Sequence, residues 1–122
     1  IQDGVVIHSK AGAAVTIGEN SSITHRSIIH GPCEIGHHVF IGFNSVLFNC
    51  RVGNRSAVRH NAVVDGQDLP DNFYVPAISH INSTTNLSDF PPMDVSLSEF
   101  SESVVNANIE LVQGYKALQN EF

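Results

Sequence analysis

The hydrophobic residues of this chain recur with a period of six. Large aliphatic residues begin successive units at Ile17, Ile23, Ile29, Ile35, Ile41 and Leu47 and, after one skipped residue, at Val52, Val58 and Val64. The fifth position of a unit tends to be small, as at Ser21, Ser27, Cys33, Ser45, Ser56 and Ala62. Such short-period self-similarity is typical of a β-solenoid, in which three units form one triangular coil. Because strand side chains alternate between faces, the aliphatic residue fills the centre and the other side chains point outward. Nine residues in near-perfect phase disfavour the alternative, an ordinary sandwich with accidental spacing.

After Val64 the repeat fades, and residues 69–77, which contain two prolines, predict an irregular final coil. Residues 82–96 are polar and contain a Pro-Pro pair, so we predict a linker across the surface. The aliphatic spacing beyond them predicts a helix at about 97–119. Ser96 and Glu99 have the spacing of a capping box at its start.

We therefore predict one structural domain, mainly β. It consists of a parallel β-helix over 1–81, a linker over 82–96 and a C-terminal α-helix within 97–122. The apolar face of that helix is expected to cover the side of the β-helix or a neighbouring subunit.

Composition excludes several classes of partner. A chain of 122 residues is one domain by size, and its net charge of −6 without a basic stripe argues against nucleic acid. No apolar run approaches the ~20 residues that a membrane span requires. Cys33 and Cys50 lack any CxxC spacing, which permits a reducing compartment, and Cys33 is expected to be a buried thiol. The pattern is already in progress at Ile1, so we expect the natural protein to have residues before it.

The seven histidines are the candidate chemistry of the chain. His8 and His30 each follow an aliphatic residue in an outward position, and His25 lies one position further along its own unit. Three outward imidazoles suit Zn²⁺, whose catalytic sites take three protein ligands and one water. His25 and His30 lie on consecutive sides around a corner, so identical protomers packed side by side could complete a site that one coil cannot. Spacing alone leaves open that these three histidines are ordinary solvent-exposed side chains without a role. We expect the same of His37, His38, His60 and His80.

Four segments carry a resemblance to a known family. IQDGVVIH at 1–8, VTIGENSSITHRSIIHGP at 15–32, IGFNSVLFNCRVGN at 41–54 and SVVNANIELVQGYK at 103–116 resemble the γ-class carbonic anhydrases, in the same order. The IHGP and IGF segments are also similar to the γ-carbonic-anhydrase-like domain of the cyanobacterial carboxysome scaffold protein. The resemblance implies a left-handed parallel β-helix of hexapeptide repeats with a C-terminal α-helix. It also implies a homotrimer with metal sites at the subunit interfaces.

The resemblance assigns a role to each matched residue. His8 and His30 match two metal ligands from one chain, and His25 matches the ligand that the neighbouring chain supplies. Gln2 matches a glutamine that hydrogen-bonds the reacting water, and Asn108 matches an asparagine that orients carbon dioxide or bicarbonate. Asp3, outside this set, matches an aspartate of an interface ion network whose arginine partner is expected before residue 1.

The implied activity is the reversible hydration of CO2 to bicarbonate and a proton, catalysed by a lyase. Zn²⁺ is the first choice of metal, but Fe²⁺ and Co²⁺ also accept imidazole and water. A bound divalent cation of this kind lowers the pKa of water to about 7. The resemblance places the protein in the cytoplasm or in a carboxysome.

The chain departs from the family pattern in two places. Fast members carry a long acidic loop with a proton-shuttling glutamate after the first histidine, whereas here only SKAGAAVT separates His8 from Ile17. Either the loop is short in this protein or part of it is absent between Lys10 and Ala11. We expect slower turnover, limited by proton transfer to buffer, unless His37, His38 or a residue upstream of Ile1 substitutes for the glutamate. Asn106 also replaces the aromatic residue expected beside the helix asparagine.

Two other functions remain open. A catalytically weak or inactive scaffold module of the carboxysome type would keep the fold and could keep the metal. A hexapeptide-repeat acyltransferase would share the fold, bind acyl-coenzyme A between subunits and use one histidine as a base without metal. The three-histidine set is the feature that separates the enzyme from the acyltransferase.

Overall fold

The computed structural model describes residues 1–121, except for the side chains of residues 97, 98, 108, 112 and 114–121 of the C-terminal helix. The described strands are β1 Val6–His8, β2 Val15–Ile17, β3 Ser22–Ile23, β4 Ile28–Ile35, β5 Phe40–Ile41, β6 Val46–Val52, β7 Ala57–Val58, β8 Val63–Asp65, β9 Asp68–Leu69, β10 Tyr74–Val75 and β11 His80–Ile81. A 3₁₀ turn at Leu87–Asp89 and the helix α1 Val95–Glu121 follow. The predicted left-handed parallel β-helix with a C-terminal α-helix is confirmed.

The strands form three faces of a triangular solenoid, and every pairing between them is parallel. The first face contains β1, the beginnings of β4 and β6, β8 and β11. The second face contains β2, the ends of β4 and β6, and β9. The third face contains β3, β5, β7 and β10. Equivalent residues of successive coils therefore lie directly above one another, as Ile29, Leu47 and Val64 do.

The predicted core residues are inside. Eight of the nine aliphatic residues of the repeat are at most 2% exposed: Ile23, Ile29, Ile35, Ile41, Leu47, Val52, Val58 and Val64. The small residues that follow the turns are mostly buried, and the serine hydroxyls among them donate to backbone carbonyls of the following coil. Ser27 Oγ donates to Gly42 O at 2.9 Å, and Ser45 Oγ donates to Arg59 O at 2.8 Å. These bonds offset the cost of burying a hydroxyl, so serine can fill a corner that is too tight for a larger side chain.

Two cysteines share one level of the second face. Cys33 and Cys50 are neighbours in register on β4 and β6, and their Sγ atoms lie 3.8 Å apart. Both are free and buried, so the predicted buried thiol at Cys33 is confirmed. The hydrogen bond to Cys33, together with burial, raises the pKa of the Cys50 thiol.

The prediction of an irregular final coil over 69–77 is wrong. The strands β9, β10 and β11 continue the solenoid, and Leu69, Val75 and Ile81 are buried in its core. The repeat was hidden because the step from Val64 to Leu69 is five residues rather than six, after which the period of six resumes.

The corners of the solenoid are tight turns with left-handed backbone. Among the described residues, nine that are not glycine have positive φ: Asn20, Arg26, His38, Asn44, Asn49, Arg55, Asn61, Asn72 and Ile78. Asparagine predominates because its short polar side chain tolerates this conformation. The glycine that follows a core aliphatic has another role, since a Cβ at Gly18 would lie 2.6 Å from the backbone of Gly36 in the next coil.

The C-terminal segment packs against one end and one face of the solenoid. Leu87 and Phe90 of the predicted linker pack against the core cluster, and the ring of Phe90 lies 5.6 Å from that of Phe73. The helix begins at Val95, two residues before the predicted start, so Ser96 lies inside the helix rather than at its N-cap. Phe100 packs edge-on against Phe40 of the third face, with ring centroids 5.9 Å apart. Within the described residues, no helix is long and apolar enough to cross a membrane.

Candidate metal centre

The pairing of β1 with β4 brings two of the predicted ligands together. His8 is the register partner of His30, so both side chains leave the first face at the same position of successive coils. His8 Nδ1 lies 3.2 Å from His30 Nε2, and the two ring centroids are 5.1 Å apart. The two nitrogens therefore face each other within hydrogen-bonding distance at the surface.

The second nitrogen of His30 fixes the orientation of its ring. His30 Nδ1 lies 2.8 Å from the carbonyl oxygen of Gly31. A carbonyl only accepts, so Nδ1 carries the hydrogen and Nε2 keeps its lone pair. Phe48, one coil further on, packs edge-on against the imidazole at 5.1 Å. Metal-binding histidines commonly donate their other N–H to a backbone carbonyl in this way, and His30 shares this arrangement.

The spacing of the pair fits a shared ion. Two imidazole nitrogens on one tetrahedral Zn²⁺ are about 3.3 Å apart, given Zn–N bonds of about 2.0–2.1 Å. The distance between His8 Nδ1 and His30 Nε2 is 3.2 Å. Among the residues that the structure describes, however, one chain holds no group of three or more His, Cys, Asp or Glu side chains able to bind a metal. Among the described residues, the pair therefore offers two nitrogens at this spacing without a third such side chain beside them.

His25 lies on an adjacent corner of the solenoid, which we call the histidine corner. It consists of the stacked turns at residues 25–26, 43–44, 60–61 and 77–78, which join the third face to the first. The His25 ring is exposed and lies 5.4 Å from Phe43, whose ring stacks on that of His60 at 4.3 Å and 20°. His25 thus presents its imidazole outward and does not join the His8–His30 pair of the same chain.

Sequence reasoning missed the role of His60. Its Nδ1 accepts the backbone N–H of Phe43 at 2.8 Å, which requires a ring that is unprotonated at this nitrogen. Desolvation and then the charge of Arg59 lower the pKa of His60. The signal was available in retrospect, because His25, Phe43 and His60 recur at intervals of 18 and 17 residues, the length of one coil.

Gln2 has an unusual environment. Its backbone N–H donates to the carbonyl of Ile23 at 2.9 Å, but its side-chain Oε1 is buried without a hydrogen-bond partner within the chain. Buried acceptors in native proteins nearly always have a donor, so the Gln2 amide must turn before this oxygen can meet a water or a group from outside the chain. The predicted site residue Asn108 lies on α1, but its side chain is outside the described residues. Asp3 is exposed, and its backbone carbonyl accepts the N–H of Arg26 at 3.0 Å.

The short connection after His8 leaves the pairing of β1 and β2 with β4 regular on both sides of it. Ala13 N–H donates to Lys10 O at 3.1 Å, and β2 then resumes parallel register with β4, Val15 opposite Cys33. The remaining predicted surface histidines are consistent with expectation: His37, His38 and His80 are exposed. His37 Nδ1 additionally accepts the backbone N–H of Glu19 at 2.8 Å, which ties two coils together.

Comparison with known proteins agrees with this architecture. The family model described as bacterial transferase hexapeptide (six repeats) matches residues 14–49. A carbonic anhydrase of Methanosarcina thermophila is 34% identical over 118 residues, which cover 95% of this chain and 48% of the relative. The carboxysome assembly protein CcmM of Nostoc sp. is 33% identical over 125 residues, covering 94% of this chain and 22% of the relative. The carnitine operon protein CaiE of Escherichia coli is 41% identical over 59 residues, which cover 48% of this chain and 30% of the relative.

The fold and the repeat define the class: this is a hexapeptide-repeat β-helix protein. Within that class, the predicted resemblance to the γ-class carbonic anhydrases and their carboxysomal relatives is confirmed over nearly the whole chain. The chain spans less than half the length of each of these relatives.

Proposed function

We propose that this protein catalyses the metal-dependent, reversible hydration of CO2 to bicarbonate and a proton. The observation that carries the proposal is the His8–His30 pair, with Nδ1 and Nε2 3.2 Å apart and His30 held by Gly31 O. The similarity to a carbonic anhydrase over 95% of the chain supports it independently. The same similarity supports a homotrimer, in which a neighbouring copy would supply the third ligand.

Each histidine has a defined part in the proposed site. His8 and His30 hold the cation from one chain, and the exposed His25 of a neighbouring chain completes the set. A bound Zn²⁺, or Fe²⁺ or Co²⁺ in its place, would supply hydroxide at neutral pH by lowering the pKa of water to about 7. The contact of Phe43 with His25 and the contact of Phe48 with His30 restrict the two rings before metal binds.

Two amide side chains are proposed to orient the reactants. Once the Gln2 amide turns toward the site, its Oε1, an acceptor only, can receive the hydrogen of the reacting water and direct the lone pair of that water toward CO2. Asn108 offers both a donor and an acceptor, which suits the oxygens of CO2 and bicarbonate. If the reacting water left, Gln2 Oε1 would be a buried acceptor without a donor. The free-energy cost of that unpaired acceptor favours a bound water at this position.

The proposed enzyme releases its proton slowly. The connection SKAGAAVT contains no acidic side chain next to the His8–His30 pair. Without a nearby acid or base of suitable pKa, the proton must pass directly to a buffer molecule. We therefore propose that buffer limits the turnover.

One observation favours a second function. The carboxysome assembly proteins of Nostoc sp. and Synechococcus elongatus are 33% and 30% identical over 94% and 100% of this chain. A γ-carbonic-anhydrase-like scaffold module in a carboxysome, weakly active or inactive, is the alternative that this similarity supports. The acyltransferase alternative, which the hexapeptide family model supports, needs one histidine base and gives no reason for the His8–His30 spacing.

The test is metal analysis of anaerobically purified protein, with CO2 hydration assayed on the same sample. We expect about one metal ion per chain, as three protein ligands from two subunits require, and loss of hydration on chelation. His25→Ala should abolish metal binding, whereas His80→Ala, an exposed histidine at the far end of the first face, should leave metal content unchanged. Metal without hydration would favour the scaffold. Protein that binds no metal would refute the proposed site and favour the acyltransferase.

A further inference from the structure

Ile78 combines two unfavourable features. Its φ is 63°, in the left-handed region, where a β-branched residue is a genuine outlier. Its side chain is 81% exposed, the highest exposure among the large hydrophobic residues that the structure describes. Strained backbone persists where a contact or a function compensates for it. Within this chain Ile78 gains almost no burial in return.

Other turns of the histidine corner show what the position normally requires. The equivalent left-handed residues of the preceding coils are Arg26, Asn44 and Asn61. Asn44 Nδ2 donates to Asn61 Oδ1 at 2.7 Å, which forms a ladder of two amides between successive coils of the corner. Ile78 ends this ladder, although asparagine there would relieve the backbone strain and could extend the hydrogen bonding. The advantage of isoleucine must therefore come from outside the subunit.

The first face carries a surface that an exposed isoleucine fits. Its outward positions include one aliphatic residue from each of four successive coils, in direct register, which we call the aliphatic ladder: Val6, Ile28, Val46 and Val63. Val6 and Ile28 are more than 40% exposed, and the exposed Phe48 borders the same strip. Contiguous exposed apolar residues of this kind mark an interaction site.

We infer that Ile78 anchors the histidine corner of one copy on the aliphatic ladder of a neighbouring copy. The choice of a second copy rests on the proposed function, in which His25 of this corner reaches the His8–His30 pair beside the ladder. A rotation axis parallel to the solenoid keeps both copies at one level. Ile78 lies three coils beyond His25, about 14 Å along the axis at about 4.8 Å per strand. Counted from the His8–His30 pair, that distance ends between the levels of Val63, the last residue of the ladder, and His80, its register partner.

The experiment compares Ile78→Asn with wild type by sedimentation equilibrium over a range of protein concentrations. The loss of one buried isoleucine per interface should raise the dissociation constant of the trimer at least about tenfold. The midpoint of thermal unfolding at a concentration where both proteins are dissociated should not fall, because asparagine relieves the strain. Ile78→Leu, which keeps an apolar side chain, should retain association.

His38→Asn is the matched control, since His38 is also exposed and left-handed but lies on a different corner. It should leave the dissociation constant within about twofold, as a surface change away from an interface does. An unchanged dissociation constant in Ile78→Asn would overturn the inference.

Metal analysis of the same samples separates this inference from the proposed function. A trimer that depends on Ile78 but binds no metal supports the anchor and refutes the enzyme. A metal-binding trimer indifferent to Ile78 supports the enzyme and refutes the anchor. A wild-type protein that is monomeric at every concentration refutes both the anchor and the shared site.

Discussion

Truncation of Leu47 to alanine tests whether the solenoid core can relax. Leu47 is fully buried and lies between Ile29 of the preceding coil and Val64 of the following one. Leu→Ala changes in cores cost about 2–5 kcal/mol, and the cost is greatest where the surroundings cannot collapse into the cavity. Here the backbone ladders fix the separation of the coils, so neither neighbour can approach. We expect about 4 kcal/mol, a large share of the stability of a domain of this size.

Urea unfolding measures this loss directly. With an m-value of about 2 kcal/mol/M, the midpoint should fall by about 2 M at a fixed protein concentration. Thr16→Ala is the matched control, because Thr16 is the exposed, outward neighbour of Ile17 on β2 and lies outside the aliphatic ladder. It should cost less than about 1 kcal/mol. A loss below about 1.5 kcal/mol for Leu47→Ala would show that the coils close over the cavity and that the reasoning is wrong.

Three further predictions concern the site. Phe48→Ala should weaken Zn²⁺ binding about tenfold in calorimetric titration by freeing the His30 ring, and equal affinities would contradict the orienting role. His60 has a pKa below its ordinary 6.5, so the unfolded chain binds more protons below that pH; stability should be complete above about 6.5 and fall as the pH drops below it. In His60→Gln, the urea midpoint of unfolding should fall less than in wild type as the pH drops below about 6.5. CO2 hydration should rise with buffer concentration at fixed pH, and a high rate independent of buffer would refute the absence of a proton shuttle.

The aliphatic period was enough to predict the fold because it reflects a physical requirement of every coil. Each coil must bury one aliphatic residue per face, and the backbone ladder keeps these residues in phase. The prediction failed where the repeat shifts by one residue within a polar segment. Between Val64 and Leu69 one residue is missing from the unit, and the polar sequence DGQD obscures the shift. The helix start also differed by two residues, within the usual uncertainty of helix ends.

The candidate site was only partly predictable. The repeat placed His8 and His30 outward, but their 3.2 Å approach depends on the register of β1 against β4, which the length of the intervening coil determines. The ring contacts of Phe43 and Phe48 were not predictable, since an outward aromatic residue looks the same in sequence whether or not it touches a histidine one coil away. The unpaired oxygen of Gln2 depends on burial, which a single glutamine in a sequence does not reveal.

The connection between β1 and β2 has a consequence for how this molecule can change. His8 pairs with His30 across 22 residues, whereas Val15 pairs with Cys33 across 18, so this corner holds four more residues than the corner below it. The pairing on either side is nevertheless regular. The number of residues can therefore vary at this corner, whereas strand pairing fixes the number of residues on the faces. Residues that carry protons, recognise a partner or shield the site can be gained or lost there while His8 and His30 stay in place, so the speed of the proposed reaction can evolve separately from the scaffold that holds these histidines.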